Sequence, residues 1–142
     1  MSAGPQRWRS ADAAATRRIG AALAPELAPD GILLLEGDLG AGKTVLAQGV
    51  AAGLGIPAGE VQSPTYTLVR EHRGPGGRLL HLDLYRLEPD DVAAAGIEEV
   101  LAGSGVKVVE WPDRLPFVAP NAVVVSITEL PNGERDIERR SR

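Results

Sequence analysis

Eight consecutive residues, Gly37-Asp38-Leu39-Gly40-Ala41-Gly42-Lys43-Thr44, follow the spacing G-x-x-x-x-G-K-[ST] of a phosphate-binding P-loop. The residue types match what a polyphosphate requires. Glycines let the backbone curl until consecutive N–H groups point at phosphate oxygens. A helix opening at the end of the loop adds its unpaired N-terminal N–H groups and the positive end of its dipole. Lys43 supplies a mobile positive charge for the β- and γ-phosphates, and Thr44 a hydroxyl for Mg²⁺. The bland alternative is a glycine-rich turn with a surface lysine. At an average glycine usage of roughly 7%, the pattern arises by chance in about one chain in a hundred of this length. Usage of basic residues argues further against chance: only Lys43 and Lys107 are lysine among 15 basic residues.

The flanking segments are the ones such a loop needs. Ile32-Leu33-Leu34-Leu35 is an apolar run of the length of a buried parallel strand. After the loop, Leu46, Val50 and Leu54 recur every four residues, as on one face of a helix. Upstream, Gln6 to Arg9 predicts a short strand, and Ser10 or Asp12 is placed to cap a helix over Ala11 to Leu27. Ala14, Ile19, Ala22 and Leu23 supply its weak apolar face, and Ala24-Pro25 and Ala28 to Gly31 are turn residues closing the region.

Downstream, Ser63-Pro64 enters an extended segment, Tyr66 to Arg70 alternates as a strand, Arg73 to Gly77 is a turn, and Leu79 to Tyr85 is a second strand. Together these predict an antiparallel hairpin. Two short helices broken at Gly96 follow within Arg86 to Leu101. Val106 to Trp111 is an apolar strand stopped by Pro112, and Ala122 to Thr128 is a last strand, turned by Pro131-Asn132-Gly133 into Glu134 to Arg139.

A P-loop needs an acidic partner for Mg²⁺ and a group to orient the attacking species. Glu110 and Asp83 each close an apolar strand. Glu110 ends the cleaner run, on the strand expected to be parallel and central, whereas Asp83 on the hairpin reads equally well as a turn or edge acid. Thr65 is placed where a switch loop would sense the γ-phosphate, or is simply a strand-start threonine. Trp111 reads as core or partner packing. His72 and His81 have no metal-pair spacing and read as ordinary polar positions.

The chain of 142 residues is expected to form one domain, and a net charge of −4 argues against unaided binding to nucleic acid through phosphate contacts. With no cysteine there is no disulfide, thiolate metal site or thiol nucleophile, which suits a cytoplasmic location. No apolar run approaches the roughly 20 residues of a membrane span, and Met1 to Ser10 lacks the apolar core of a signal peptide. The locally basic tail over 138–142 reads as a solvated, frayed terminus. No N-K-x-D guanine signature is present.

Four blocks together, Gly37 to Thr44, Ser63-Pro64-Thr65-Tyr66, His81-Leu82-Asp83-Leu84-Tyr85-Arg86 and Glu110-Trp111-Pro112, resemble the TsaE family in order and spacing, over about Ser10 to Arg139. The resemblance implies an α/β P-loop NTPase fold with a mixed, mostly parallel sheet flanked by helices. It implies binding of ATP and Mg²⁺, weak ATP hydrolysis alone, and action on a TsaD–TsaB heterodimer in threonylcarbamoyladenosine modification of tRNA, with tRNA engaged only through that complex. By position, Asp38, Leu39, Gly40, Ala41, Gly42 and Lys43 would hold phosphate, Thr44 and Glu110 the metal, and Asp83 would orient water or link to the metal. Thr65 and Tyr66 would lie in a switch-like loop, with Trp111 beside the site and Ser10 and Arg135 on the adenine and ribose side. Two other functions share the same loop: a small-molecule kinase with Asp83 as base, and a nucleotide switch without hydrolysis. A kinase needs a second substrate pocket and usually a lid, and little chain is left to build one.

Overall fold

In the computed structural model, residues 6–38, 40–57, 60–61 and 69–141 are described. Seven strands form one sheet in the order β1-β7-β6-β2-β5-β4-β3: β1 Gln6–Ser10, β2 Ile32–Glu36, β3 Val69–Gly74, β4 Gly77–Asp83, β5 Val106–Glu110, β6 Val123–Glu129 and β7 Arg135–Ser141. The four inner strands β4, β5, β2 and β6 are mutually parallel, and β3, β7 and β1 pair antiparallel to their neighbours. This is the expected α/β fold, a mixed and mostly parallel sheet flanked by helices.

Both faces of the sheet are covered, which is why its inner strands are mostly apolar rather than alternating. Leu33 and Leu35 of β2 point to one face and join Leu79, Val108 and Val125 beneath α1 (Ala13–Leu27) and α2 (Lys43–Gly53). Ile32 and Leu34 point to the other, with Leu80, Leu82 and Val109, beneath α3 (Pro89–Ala94), α4 (Ile97–Ala102) and the segment around Ala119 and Ala122. Gly96, in left-handed backbone with φ of 75°, separates α3 from α4, as its position in the alanine-rich run predicted.

The first helix departs from the expectation in two ways. Pro25 lies inside α1, which runs on to Leu27, so Ala24-Pro25 is not a turn. Its buried stripe is Thr16, Gly20, Leu23, Ala24 and Leu27, whereas Ala14 and Ala22 face solvent. The reason is the close approach of α1 to α2. A Cβ added at Gly49 would lie 2.2 Å from the Arg17 carbonyl oxygen, and one at Gly20 would lie 2.3 Å from that of Leu46. Small residues join Leu23 and Leu27 on the contact face of α1, with Gly20 at the close approach to α2. Asp12 rather than Ser10 caps the helix, its Oδ1 accepting the Ala15 N–H at 2.8 Å.

The hairpin β3–β4 forms, turning at Pro75-Gly76 between the pair Gly74 and Gly77. Yet β4 also pairs in parallel with β5, so Asp83 ends an interior strand and is not an edge acid. Residues 138–141 of the basic tail are likewise not frayed, and Arg142 lies outside the described residues. Strand β7 is bonded to β6 on one side and β1 on the other, Arg139 is buried against Glu26 of α1, and Arg140 meets Glu36 at 2.8 Å. The expectation failed because charge alone does not reveal a strand held on both sides.

In an ordinary helix Ala is favoured over Gly by roughly 0.5–1 kcal/mol. At Gly20 and Gly49 the sign inverts, because the new methyl meets backbone that has no side-chain torsion to yield. We expect Gly20→Ala and Gly49→Ala each to lower stability by about 1–3 kcal/mol in urea unfolding. A gain at either position would mean that the two helices separate freely.

Candidate functional site

The site forms at the carboxyl ends of β2, β5 and β4, where open α/β sheets place their ligands. The chain leaves β2 at Glu36, and Glu36 is tied to Ser126 Oγ at 2.9 Å as well as to Arg140. The loop then turns on itself, Ala41 N–H donating to the Asp38 carbonyl at 3.1 Å. Gly40 and Gly42 have φ of 79° and 110°, a left-handed region that a side chain would strain. With Gly42 as its N-cap, α2 begins at Lys43, and its first-turn N–H groups have no partner within the helix.

Lys43 is 5% exposed. Its Nζ donates to the Gly37 carbonyl at 2.7 Å, curling the side chain back over the start of the loop. The same ammonium sits 3.7 Å from the ring centroid of Trp111, whose ring in turn packs on Tyr85 at 4.8 Å. Trp111 holds this place with φ of 60°, an outlying conformation for a bulky residue. Its role as a cover over Lys43 is a tertiary fact that its position at a strand end did not disclose. Burial pushes the Lys43 ammonium below the ordinary lysine value of 10.5, and the nearby carboxylates of Glu110, Asp83, Asp113 and Asp38 oppose that shift.

Asp83 and Glu110 stand side by side in register on β4 and β5. Registered residues of a parallel pair share a face, and Leu79 and Val108, in step with them, lie under α1 and α2. Both carboxylates therefore face the P-loop helix. Thr44 Oγ1 donates to Glu110 Oε2 at 3.3 Å. Asp83 Oδ1 accepts the Tyr85 N–H at 3.0 Å, which fixes the turn leaving β4. A cleft of about 370 Å³ is lined by Gly40, Gly42, Lys43, Thr44, Asp83 and Glu110, with Tyr85, Trp111 and Arg135 around it.

Mg²⁺ suits this donor set. It takes hard oxygen ligands, keeps several waters, and is bound by one or two protein oxygens together with substrate phosphates. Thr44 and Glu110 offer a hydroxyl and a carboxylate in contact at the cleft. Among the described residues there is no group of three or more His, Asp or Glu that could cage a metal without a phosphate.

The remaining predicted residues fall in different places. Arg135 Nε and Nη2 donate to the carbonyls of Ala41 and Gly40, at 2.7 and 3.3 Å, so it grips the outside of the loop. It also lines a smaller recess of about 140 Å³ with Asp12, Ala13, Thr16 and Gly133. Ser10 lines neither opening. It is fully buried, donating to the Asp12 carbonyl at 2.8 Å and paired with Thr16 Oγ1 at 2.7 Å, so the structure assigns its hydroxyl to the helix start. Asp38 and Ala41 border a separate shallow recess with Glu129. Leu39, Thr65 and Tyr66 lie outside the described residues.

His81 is the residue that sequence reasoning passed over. It is fully buried, and its Nε2 lies 2.5 Å from Glu110 Oε2. The signal was present in the strand period: His81 is two residues before Asp83 and so on the same face of β4. Its spacing from His72 does not suggest a metal pair, and its contact with Glu110 joins strands far apart in the chain.

A strand, glycine loop and helix of this form, with the lysine folded onto the loop beside a hydroxyl and a strand-end carboxylate, define a P-loop nucleotide-binding protein. The chain belongs to the TsaE family, whose model, described as threonylcarbamoyl adenosine biosynthesis protein TsaE, matches residues 10–139. It is 39% identical over 132 residues to the tRNA threonylcarbamoyladenosine biosynthesis protein TsaE of Nostoc sp. (strain PCC 7120), spanning 90% of this chain and 81% of that one. The protein of the same name from Bacillus subtilis (strain 168) is 37% identical, spanning 92% and 82%. The crystal structure of Bacillus subtilis YdiB superposes with a TM-score of 0.76 at 31% identity, covering 98% of this chain and 86% of that one.

A lysine that holds phosphate must be charged, and burial lowers the pH at which Lys43 loses its charge. As pH rises, nucleotide affinity should therefore begin to fall below the ordinary lysine value of 10.5, and the fall should vanish in Lys43→Ala. A fluorescent-nucleotide titration across alkaline pH measures this. An affinity flat to pH 10.5 would contradict the buried ammonium described here.

Proposed function

We propose that this chain is an Mg²⁺-dependent ATPase required for threonylcarbamoyladenosine modification of tRNA next to the anticodon, acting on the TsaD–TsaB heterodimer. The observation that carries the reading is the convergence of Lys43, Thr44, Asp83 and Glu110 on one cleft at the sheet's carboxyl edge. The names of the relatives from Nostoc and Bacillus subtilis support the pathway. The acidic balance of the chain supports a role through protein partners rather than a direct grip on tRNA. Among the described residues no helix is long and apolar enough to cross a membrane, which is compatible with work in the cytoplasm.

In this reading the loop N–H groups and the first turn of α2 hold the β- and γ-phosphates, and Lys43 adds a charge-assisted contact. Thr44 and Glu110 would hold Mg²⁺, which supplies electrostatic stabilisation of charge on the transferring phosphoryl group. Asp83, beside Glu110 and anchored by the Tyr85 N–H, orients the attacking water. Trp111 covers the lysine and excludes solvent from the phosphates. Arg135, between the cleft and the smaller recess, places the ribose and adenine on that side of the loop.

Phosphate release from Mg-ATP, measured alone and with purified TsaD–TsaB, tests the proposal. A low rate that rises with the heterodimer and disappears in Lys43→Ala is expected. Lys43→Ala should weaken nucleotide binding by about 2–3 kcal/mol. Glu110→Ala and Asp83→Ala should lower turnover far more than affinity. A wild-type rate indifferent to the heterodimer would refute the partner role, and normal Mg-ATP hydrolysis by Glu110→Ala would refute the metal assignment.

A further inference from the structure

We infer that His81 is a positioning residue for the Glu110 carboxylate, holding it from beneath so that it meets the metal of a bound nucleotide in one fixed orientation. The inference rests on the reading of Glu110 as an Mg²⁺ ligand. At 2.5 Å a proton must lie between His81 Nε2 and Glu110 Oε2, since two bare lone pairs would repel. With Glu110 ionised as a ligand, that proton is on Nε2, and the imidazole donates.

Three observations point to a purpose beyond packing. Glu110 is itself only 3% exposed, so its carboxylate has few water molecules to orient it. Both its hydrogen bonds among the described residues, from His81 and from Thr44, converge on the single atom Oε2. The carboxylate is thus pinned at one oxygen, with the Thr44 hydroxyl drawn to the same point. Finally, His81 Nδ1 is buried with no hydrogen-bond partner among the described residues. Burying a polar ring with one nitrogen unpaired is unfavourable. A leucine, like Leu79 and Leu82 on the same strand, would fill an apolar site without that cost. The bond to Glu110 is the feature that a leucine could not supply. A glutamate side chain has several rotatable bonds, and a donor behind a metal-binding carboxylate removes the freedom that would otherwise be lost on binding.

The test compares His81→Leu, which removes the donor, with His81→Gln, which keeps an N–H donor at similar reach. Affinity for a fluorescent ADP analogue is measured by titration in EDTA and again across Mg²⁺ concentrations. In His81→Leu the Mg²⁺ needed for half of the metal-dependent gain in affinity should rise about 10- to 100-fold, the usual effect of losing a ligand's hydrogen-bond partner. Affinity in EDTA should stay unchanged, and His81→Gln should restore most of the Mg²⁺ response. Combining His81→Leu with Glu110→Gln should add little to Glu110→Gln alone, because the histidine acts through that carboxylate. An unaltered Mg²⁺ dependence in His81→Leu would overturn the inference. So would a loss of EDTA affinity in both His81 variants, which marks a general packing role. A wild-type protein whose nucleotide affinity ignores Mg²⁺ would instead overturn the metal reading itself, and this inference with it.

Discussion

The parallel pairing of β4, β5 and β2 is the constraint on which the rest of the structure depends. Parallel strands end at a common edge, so the residues that close them become neighbours although they are distant in the chain. Asp83 and Glu110 meet because their strands are in register, and the loop leaving β2 delivers Lys43 and Thr44 to the same edge. A slip of one residue between β4 and β5 would turn His81 and Asp83 to the opposite face, into the core of Leu80 and Leu82. The continuous apolar packing on both faces of the sheet excludes that slip.

The position of α2 is the second half of the geometry. The helix carries Lys43 and Thr44 at its first turn, and its backbone lies against that of α1 at Gly20 and Gly49. This close contact, with Leu46 and Val50 buried on the sheet, leaves the helix little freedom to tilt. Arg135 of β7 grips the loop from outside by the Gly40 and Ala41 carbonyls. Turning those carbonyls toward a guanidinium leaves the N–H groups for the phosphates. The C-terminal strand therefore contributes to a loop about a hundred residues earlier in the chain.

Within the cleft, charge is concentrated where water is scarce. Lys43 is buried, its ammonium shared between the Gly37 carbonyl and the face of Trp111. Those two contacts hold the charge in place of solvent, and both can yield to the stronger attraction of a phosphate. Glu110 is slightly more buried still, held by Thr44 and His81.

The P-loop, its strand and helix, the break at Gly96 and the choice of Glu110 as a strand-end acid were legible in the amino-acid sequence by itself. Each follows from local rules: glycine conformation, apolar period, and a carboxylate at the end of an apolar run. What only the tertiary structure decided is everything that depends on a neighbour far along the chain. Asp83, one of two candidate acids in the sequence, comes to lie beside Glu110 because β4 pairs with β5 as well as β3, and residues 138–141 of the basic terminus belong to a strand flanked by β1 and β6. Ser10 turned inward to the helix start, Gly20 proved to be a point of close approach of α1 to α2, and His81 proved to lie under Glu110. Such placements are set by sheet order and by the closeness of packed backbones, and these are long-range properties that no window of the sequence contains.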